Sequence, residues 1–596
     1  MKNIIKNTKV IGALLLASFS FSCEGFLDET NYSSKTADTL FATEDGYESL
    51  VNGMYSYVRT FYNTGSYYNL MWLGTDMMTQ GSNSSITILN QYYNFTNDNS
   101  DVYTVWTNAY TALKACNAVI ERADAADIDD STRAQRVAEG KGLRALFLFE
   151  LVKTWGDVPL MNYEVKEVSY ESQRDPASEI YAQIISDLTD AIAVLPATQT
   201  TDYGRFSASA ARHLRAKVYL TRAYQSYADS SDFANAYADA TTLINAGNHT
   251  LLSDFAMVHR QANEENNEII FAAQWSTDAT VGLGNSQYRY FAFDFANCLG
   301  GAKSNEYGNV TATYVPTKLT YMLFDWENDA RARTTFMSSY NGSASTSTDG
   351  GTYGKNWYEV VDPIGTLELG EAALIFPTPA YSATPDASLI DEQSFTLNFP
   401  TGDVTDFSYG VDGENDYWKL AGQLSESTHT SASARTFLPI WKFKDGNTYF
   451  LESGSSTGTR DTYLFRLAET YLIASEAALQ QGDNTNALKY LNALRERAEI
   501  NSGSLVYPAG TTVDIDMILD EGILELVGEV SRWSDLQRTG KLAERVLKYN
   551  WDTNNITGGL STNLTSGDTK YQLRPIPLTW INSLSNGSEI VNNPGW

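Results

Sequence analysis

Five consecutive segments, 106–122, 131–155, 178–195, 207–227 and 232–246, place apolar residues three and four positions apart, the period of one α-helical face. In the third, Ile180, Ile184, Ile185, Leu188, Ile192 and Leu195 fall on a single stripe. A helix with such a stripe must bury it, and short loops make its antiparallel neighbour in sequence the nearest surface. Several pairs in succession predict a mainly α fold, a tetratricopeptide-like helical-hairpin solenoid. The repeats have drifted too far apart to show a fixed period. Helices are expected again at 461–481, 484–498 and 514–536, with Gly482 stopping the first and Asp483 or Asn484 capping the second.

Between these blocks the character changes. Residues 251–460 are rich in Gly, Ser, Thr, Asn and Tyr, with short strand-like pieces such as 269–273 and 438–443. Stretches like 339–354 hold too few apolar residues for a regular buried element and read as surface loops. A long, irregular, loop-rich region packed against a helical scaffold is where binding groups are expected. The chain therefore divides into a signal peptide (1–22), a tether (23–42), a helical-hairpin region (43–250), the irregular region (251–460) and C-terminal helices with a tail (461–596). Residues 43–596 are expected to form one compact domain.

The charge balance narrows the partners. There are 42 Lys and Arg against 72 Asp and Glu in 596 residues, a net charge of −30. Nucleic acid and anionic membrane surfaces both need clustered cations, so neither is expected. With 37 Tyr, 25 Phe and 12 Trp, the chain has flat apolar faces for ring-shaped ligands as well as for its core.

The N-terminus carries Lys2, Lys6 and Lys9 ahead of an apolar run from Val10 to Phe21. That is a secretory signal, too short to span a membrane. Ser22 before Cys23 is the cleavage pattern that leaves a lipidated cysteine as the first mature residue, despite the bulky Phe21. Cys116 lies in a helical pattern and is expected to be a small buried core residue. No Cys/His cluster exists in the sequence, and neither a metal nor a cofactor is expected.

Two motifs fail on chemistry. Gly454 to Gly458 matches GxSxG, but His213, His249, His259 and His429 all precede Ser456, whereas the hydrolase order places the His after the Ser. Gly350 to Lys355 lacks the spacing of a phosphate loop, and Asn356 stands where a Ser or Thr should hold magnesium. A glycosidase needs only two facing carboxylates, which sequence alone does not reveal. Asp412 to Asp416 are acid-rich enough to hold calcium, but solvated charge is the simpler reading.

From Arg144 to Leu160 a helix ends in Trp155-Gly156-Asp157-Val158-Pro159-Leu160 and resembles the SusD/RagB family of outer-membrane nutrient-binding lipoproteins of Bacteroidetes. Further blocks are similar to that family in order: Arg466 to Ala477, Asn492 to Ala498, Glu525 to Gly540, Pro575-Ile576-Pro577 and Asn593-Pro594-Gly595-Trp596. Cys23 followed by Phe26-Leu27-Asp28 matches its start. Val530 and Ser475 are mild departures, standing where Gly and Ala are usual.

These blocks read as fold determinants, with Trp533 in the core and Arg532 and Asp535 in capping or ion-pair contacts. The resemblance implies a non-catalytic protein that captures oligosaccharide or polysaccharide at the cell surface. It would pass this to a partner TonB-dependent (SusC-like) transporter. It also implies a shallow aromatic site, for which Asp76, Tyr92, Tyr93, Tyr288, Tyr290, Trp357 and Tyr358 are the candidates. A peptide-binding member of the same family and a surface glycoside hydrolase remain the alternatives.

Overall fold

Helix placement follows the caps and stripes. The computed structural model describes residues 36–81, 87–199, 201–276, 284–291, 313–336, 439–445, 458–529, 531–550 and 569–596, the backbone of 339–341, 372–375 and 395–396, and a few single positions from 553 to 567. In the first block, α1 (Glu44–Tyr62) and α2 (Gly65–Met71) precede α3 (Ser100–Arg122), α4 (Asp130–Trp155), α5 (Ala177–Val194), α6 (Ala208–Arg222) and α7 (Asp232–Asn245). Thr43, Thr64, Asn99, Asp129 and Ser207 each cap a following helix by accepting from a backbone N–H two or three residues on. Such caps satisfy donors that the first turn leaves open. On α5, Ile180, Ile184 and Leu188 are fully buried, whereas Ile185 and Ile192 sit at the margin of the stripe.

Successive helices pack as neighbours, α3 on α4, α4 on α5, α5 on α6 and α6 on α7. The second block comprises α8 (Leu467–Gln480), α9 (Asn484–Ala498), α10 (Ile515–Leu526), α11 (Arg532–Arg538) and α12 (Leu542–Tyr549). Helix α8 inserts between α7 and α9, so the C-terminal helices continue the stack begun by the N-terminal ones. The contact is polar as well as apolar: His213 on α6 bonds Thr470 at 2.9 Å and Glu469 at 3.0 Å on α8. The fold is mainly α and of tetratricopeptide-like hairpin type.

Two expected helices are corrected. Residues 462–466 form a strand rather than the first turn of α8, because Thr462–Arg466 pairs antiparallel with Ile269–Ala273. Both Tyr463 and Phe465 are buried there. The expected helix over 514–536 is two helices, broken at Gly528, whose φ of +76° suits glycine. A Cβ on Gly528 would also lie 2.8 Å from Phe443 and 2.9 Å from Phe291. Cys116 is buried and unbonded.

The tail returns to the first block. The Trp155 indole donates to the Pro575 carbonyl at 2.9 Å. Asn593 donates to the carbonyls of Trp155 and Arg574. The main hydrophobic core thus draws on residues from Tyr47 to Ile576.

Candidate functional site

The loop after α2 carries Asp76, and its surroundings correct the expectation that it faces a ligand. Asp76 is fully buried. Arg532 binds it in bidentate fashion, Nε to Oδ1 at 2.8 Å and Nη2 to Oδ2 at 2.7 Å. Arg545 adds a contact to Oδ2 at 2.6 Å. Burial alone would raise this carboxyl, but the two guanidiniums outweigh it and hold the pKa at about 2. Asp76 thus pins α11 and α12 to the loop after α2, and Arg532 is the ion-pair residue the sequence suggested.

Tyr92 is corrected for the same reason. It has φ +54° and no exposed surface, and its hydroxyl donates to the Gly74 carbonyl at 2.8 Å. Burial pushes its phenol up to about 12. Asp76 and Tyr92 therefore meet around Gly74 as scaffold. Tyr288 is buried as well, with its ring 5.9 Å from that of Trp441.

Tyr93 and Tyr290 keep part of their surface. Tyr290 shares the short helix Gln287–Phe291 with Tyr288 and packs 5.7 Å from both Tyr68 and Tyr314. Trp357, Tyr358, Cys23 and the acidic stretch 412–416 lie outside the described residues. Among the described residues, no group of three or more His, Cys, Asp or Glu side chains gathers to hold a metal.

Sequence reasoning missed the other aromatic surface. A cleft of about 1360 Å³ opens between α3, the strap 157–175 and the tail 580–591. Tyr103, Trp106 and Tyr110 lie on one face of α3, and Trp580 packs 5.0 Å from Trp106 to extend that wall. The strap contributes Tyr163 and Tyr170, 57% and 66% exposed. Of eleven exposed large apolar side chains among the described residues, six line this cleft. The visible signal was the strap itself, where Tyr163, Val165, Val168 and Tyr170 alternate with charges in a segment too short and polar to make a core.

The strap is held rigidly. Val158 and Asp175 form an antiparallel bridge, and Leu160 N–H donates to Asp175 at 2.6 Å. Asn117 of α3 donates to the carbonyls of Met161 and Tyr163. Ser585 N–H donates to the Tyr170 carbonyl at 2.7 Å. Arg174 ties strap to tail through Asp157 O at 2.8 Å and Val591 O at 2.6 Å.

Comparison with known proteins then gives the relatives. Residues 267–596 match the family described as the SusD family, and residues 25–220 match one described as starch-binding, associating with the outer membrane. A SusD-like protein P2 of Formosa agariphila is 24% identical over 96% of each chain. The starch-binding protein SusD of Bacteroides thetaiotaomicron is 25% identical, covering 77% of this chain and 73% of its own. Among solved structures, a SusD homolog from Bacteroides thetaiotaomicron superposes with TM-score 0.66 at 20% identity, covering 94% of this chain and 98% of that one. Surface glycan-binding protein A from the same organism, in complex with laminarihexaose, gives TM-score 0.62 at 19% identity over 92% and 99%.

Proposed function

The chain belongs to the SusD family, and from that premise we propose that it is a cell-surface glycan-binding lipoprotein. It captures oligosaccharide or polysaccharide and hands it, unmodified, to a TonB-dependent transporter in the outer membrane. The observation that carries this reading is the likeness of fold, along nearly the whole chain, to proteins named for surface glycan binding. Sugar rings present C–H faces that suit aromatic planes, each stack adding about 0.5–1.5 kcal/mol by analogy with aromatic pairs. Tyr93, Tyr290, Trp357 and Tyr358 remain the proposed loop contacts. Weak contacts of this kind suit a device that must release its cargo.

Calorimetric titration of the chain from residue 24 against neutral and acidic polysaccharides and a casein digest tests the reading, with reducing ends assayed in the same tubes. Heat with a glycan and no new reducing ends is expected. Heat with the digest alone would make it a peptide binder, and reducing ends that scale with protein would make it a hydrolase.

The anchor has its own test. Cys23→Ala is expected to move the protein from the outer-membrane fraction to the soluble one, since a lipidated cysteine is the proposed attachment. Retention of the variant in the membrane fraction would overturn that attachment.

A further inference from the structure

We infer that the cleft between α3, the strap 157–175 and the tail is a second saccharide-binding site, selective for neutral chains. The inference rests on the glycan-binding reading above and adds a place and a chemistry to it. A volume of about 1360 Å³ exceeds what one monosaccharide fills, and ligand clefts of drug-sized molecules run from about 300 to 1,000 Å³. A groove of about 340 Å³ continues from it past Asp157 and Arg174, which line both. The site therefore has room for several sugar units in a row.

The walls suit carbohydrate. Tyr103, Tyr163 and Tyr170 are exposed and Tyr110 and Trp580 half-buried, whereas Trp106 is buried behind them, so a pyranose chain lying in the cleft meets aromatic side chains from α3, the strap and the tail. The Trp580 indole N–H has no hydrogen-bond partner among the described residues and can donate to a sugar hydroxyl. The hydrogen bonds that fix the strap to α3 and to the tail are already made. Little ordering cost remains for binding.

Charge selects the class of glycan. The lining carries the carboxylates of Asp157, Glu171, Asp175 and Glu589 against the cations Lys114 and Arg174. Arg174 gives its N–H groups to the Asp157 and Val591 carbonyls and the Asn593 side-chain oxygen, all neutral, so the lining balances four carboxylates against two cations. Sulfated or uronate chains would be repelled, whereas hydroxyl-bearing neutral chains find acceptors.

The test is amide hydrogen exchange on the full mature lipoprotein in detergent, with titration heats measured in parallel. The probes are laminarihexaose, maltoheptaose, xylohexaose and, as the anionic comparator, a polygalacturonate hexamer. Protection of residues 160–172 and 580–591 by a neutral probe is expected. The double variant Tyr163→Ala/Tyr170→Ala should lose it, with binding at this cleft weakened roughly 5- to 100-fold and an unchanged melting temperature.

Heat from a neutral probe with protection confined to other segments overturns this inference and leaves the function above standing. Protection by polygalacturonate instead overturns the charge argument and the neutral selectivity with it. Absence of heat and protection with every probe overturns the function above as well. If the double variant keeps glycan protection but no longer co-purifies with its transporter, the surface is a protein interface and the saccharide assignment fails.

Discussion

Asp76→Ala is expected to cost about 3–5 kcal/mol of folding stability, measured by urea denaturation, with any glycan affinity changed little once the protein is held below its transition. Removing one partner of a buried ion pair leaves charge without compensation, which is where that magnitude comes from. Here Arg532 loses its carboxylate partner and Arg545 loses one of three, both guanidiniums being almost wholly buried. Arg532 retains one bond to the Leu519 carbonyl at 2.8 Å, and Arg545 retains Asp516 at 2.7 Å and Asp520.

The pH dependence follows from the same contacts. The folded carboxyl lies below its unfolded value of 3.8, at about 2. The stability it contributes is therefore complete above about pH 4 and is lost as pH falls towards 2. Asp76→Asn should flatten that part of the acid-denaturation curve. A variant of ordinary stability that fails to bind glycan would return Asp76 to the ligand face.

The second large effect is expected at Arg466, the last residue of the strand preceding α8. Its guanidinium donates to Glu268 at 2.6 Å, to Glu525 at 3.1 Å and to Glu529 at 2.5 Å, and also to the Glu525 carbonyl at 2.9 Å. All three acids are buried, and Glu525 is shared with Arg331 and Arg497. Arg466→Met keeps the volume and removes the charge, so the acids lose their common partner, again at about 3–5 kcal/mol. Adding Glu529→Gln to Arg466→Met should recover part of the loss, because Glu529 would no longer need the cation. Denaturation midpoints for the two variants decide the matter, and equal midpoints would show that the cluster does not act as a unit. The cluster joins the strand pair to α10 and α9.

What the sequence made legible was local. The stripe on α5, the stop at Gly482 and the cap at Asp483 are decided by neighbours within a few residues, and each forms as expected. The misses are long-range. Thr462–Arg466 becomes a strand because its partner lies nearly 200 residues earlier in sequence, and no local pattern announces that pairing. Asp76 was a ligand candidate through the family resemblance, while the arginines that claim it arrive 456 and 469 residues later. Tyr92 was lost to the same kind of closure. The cleft was overlooked because its walls come from three distant segments. Only the apolar residues of the strap, stranded in a charged loop, hinted that they faced something other than core.

The seam between tail and first hairpins gives the order of synthesis a physical meaning. The Trp155 indole waits for a carbonyl 420 residues further along the chain, roughly 20–80 s of translation at typical bacterial-to-eukaryotic speeds. Until then α3 and α4 lack the surface that covers their ends, and the strap has no tail to grip. The early helices can pack on one another, but the seam itself closes only when the late half is made. Pro575 and Asn593 are the clasp that closes over Trp155.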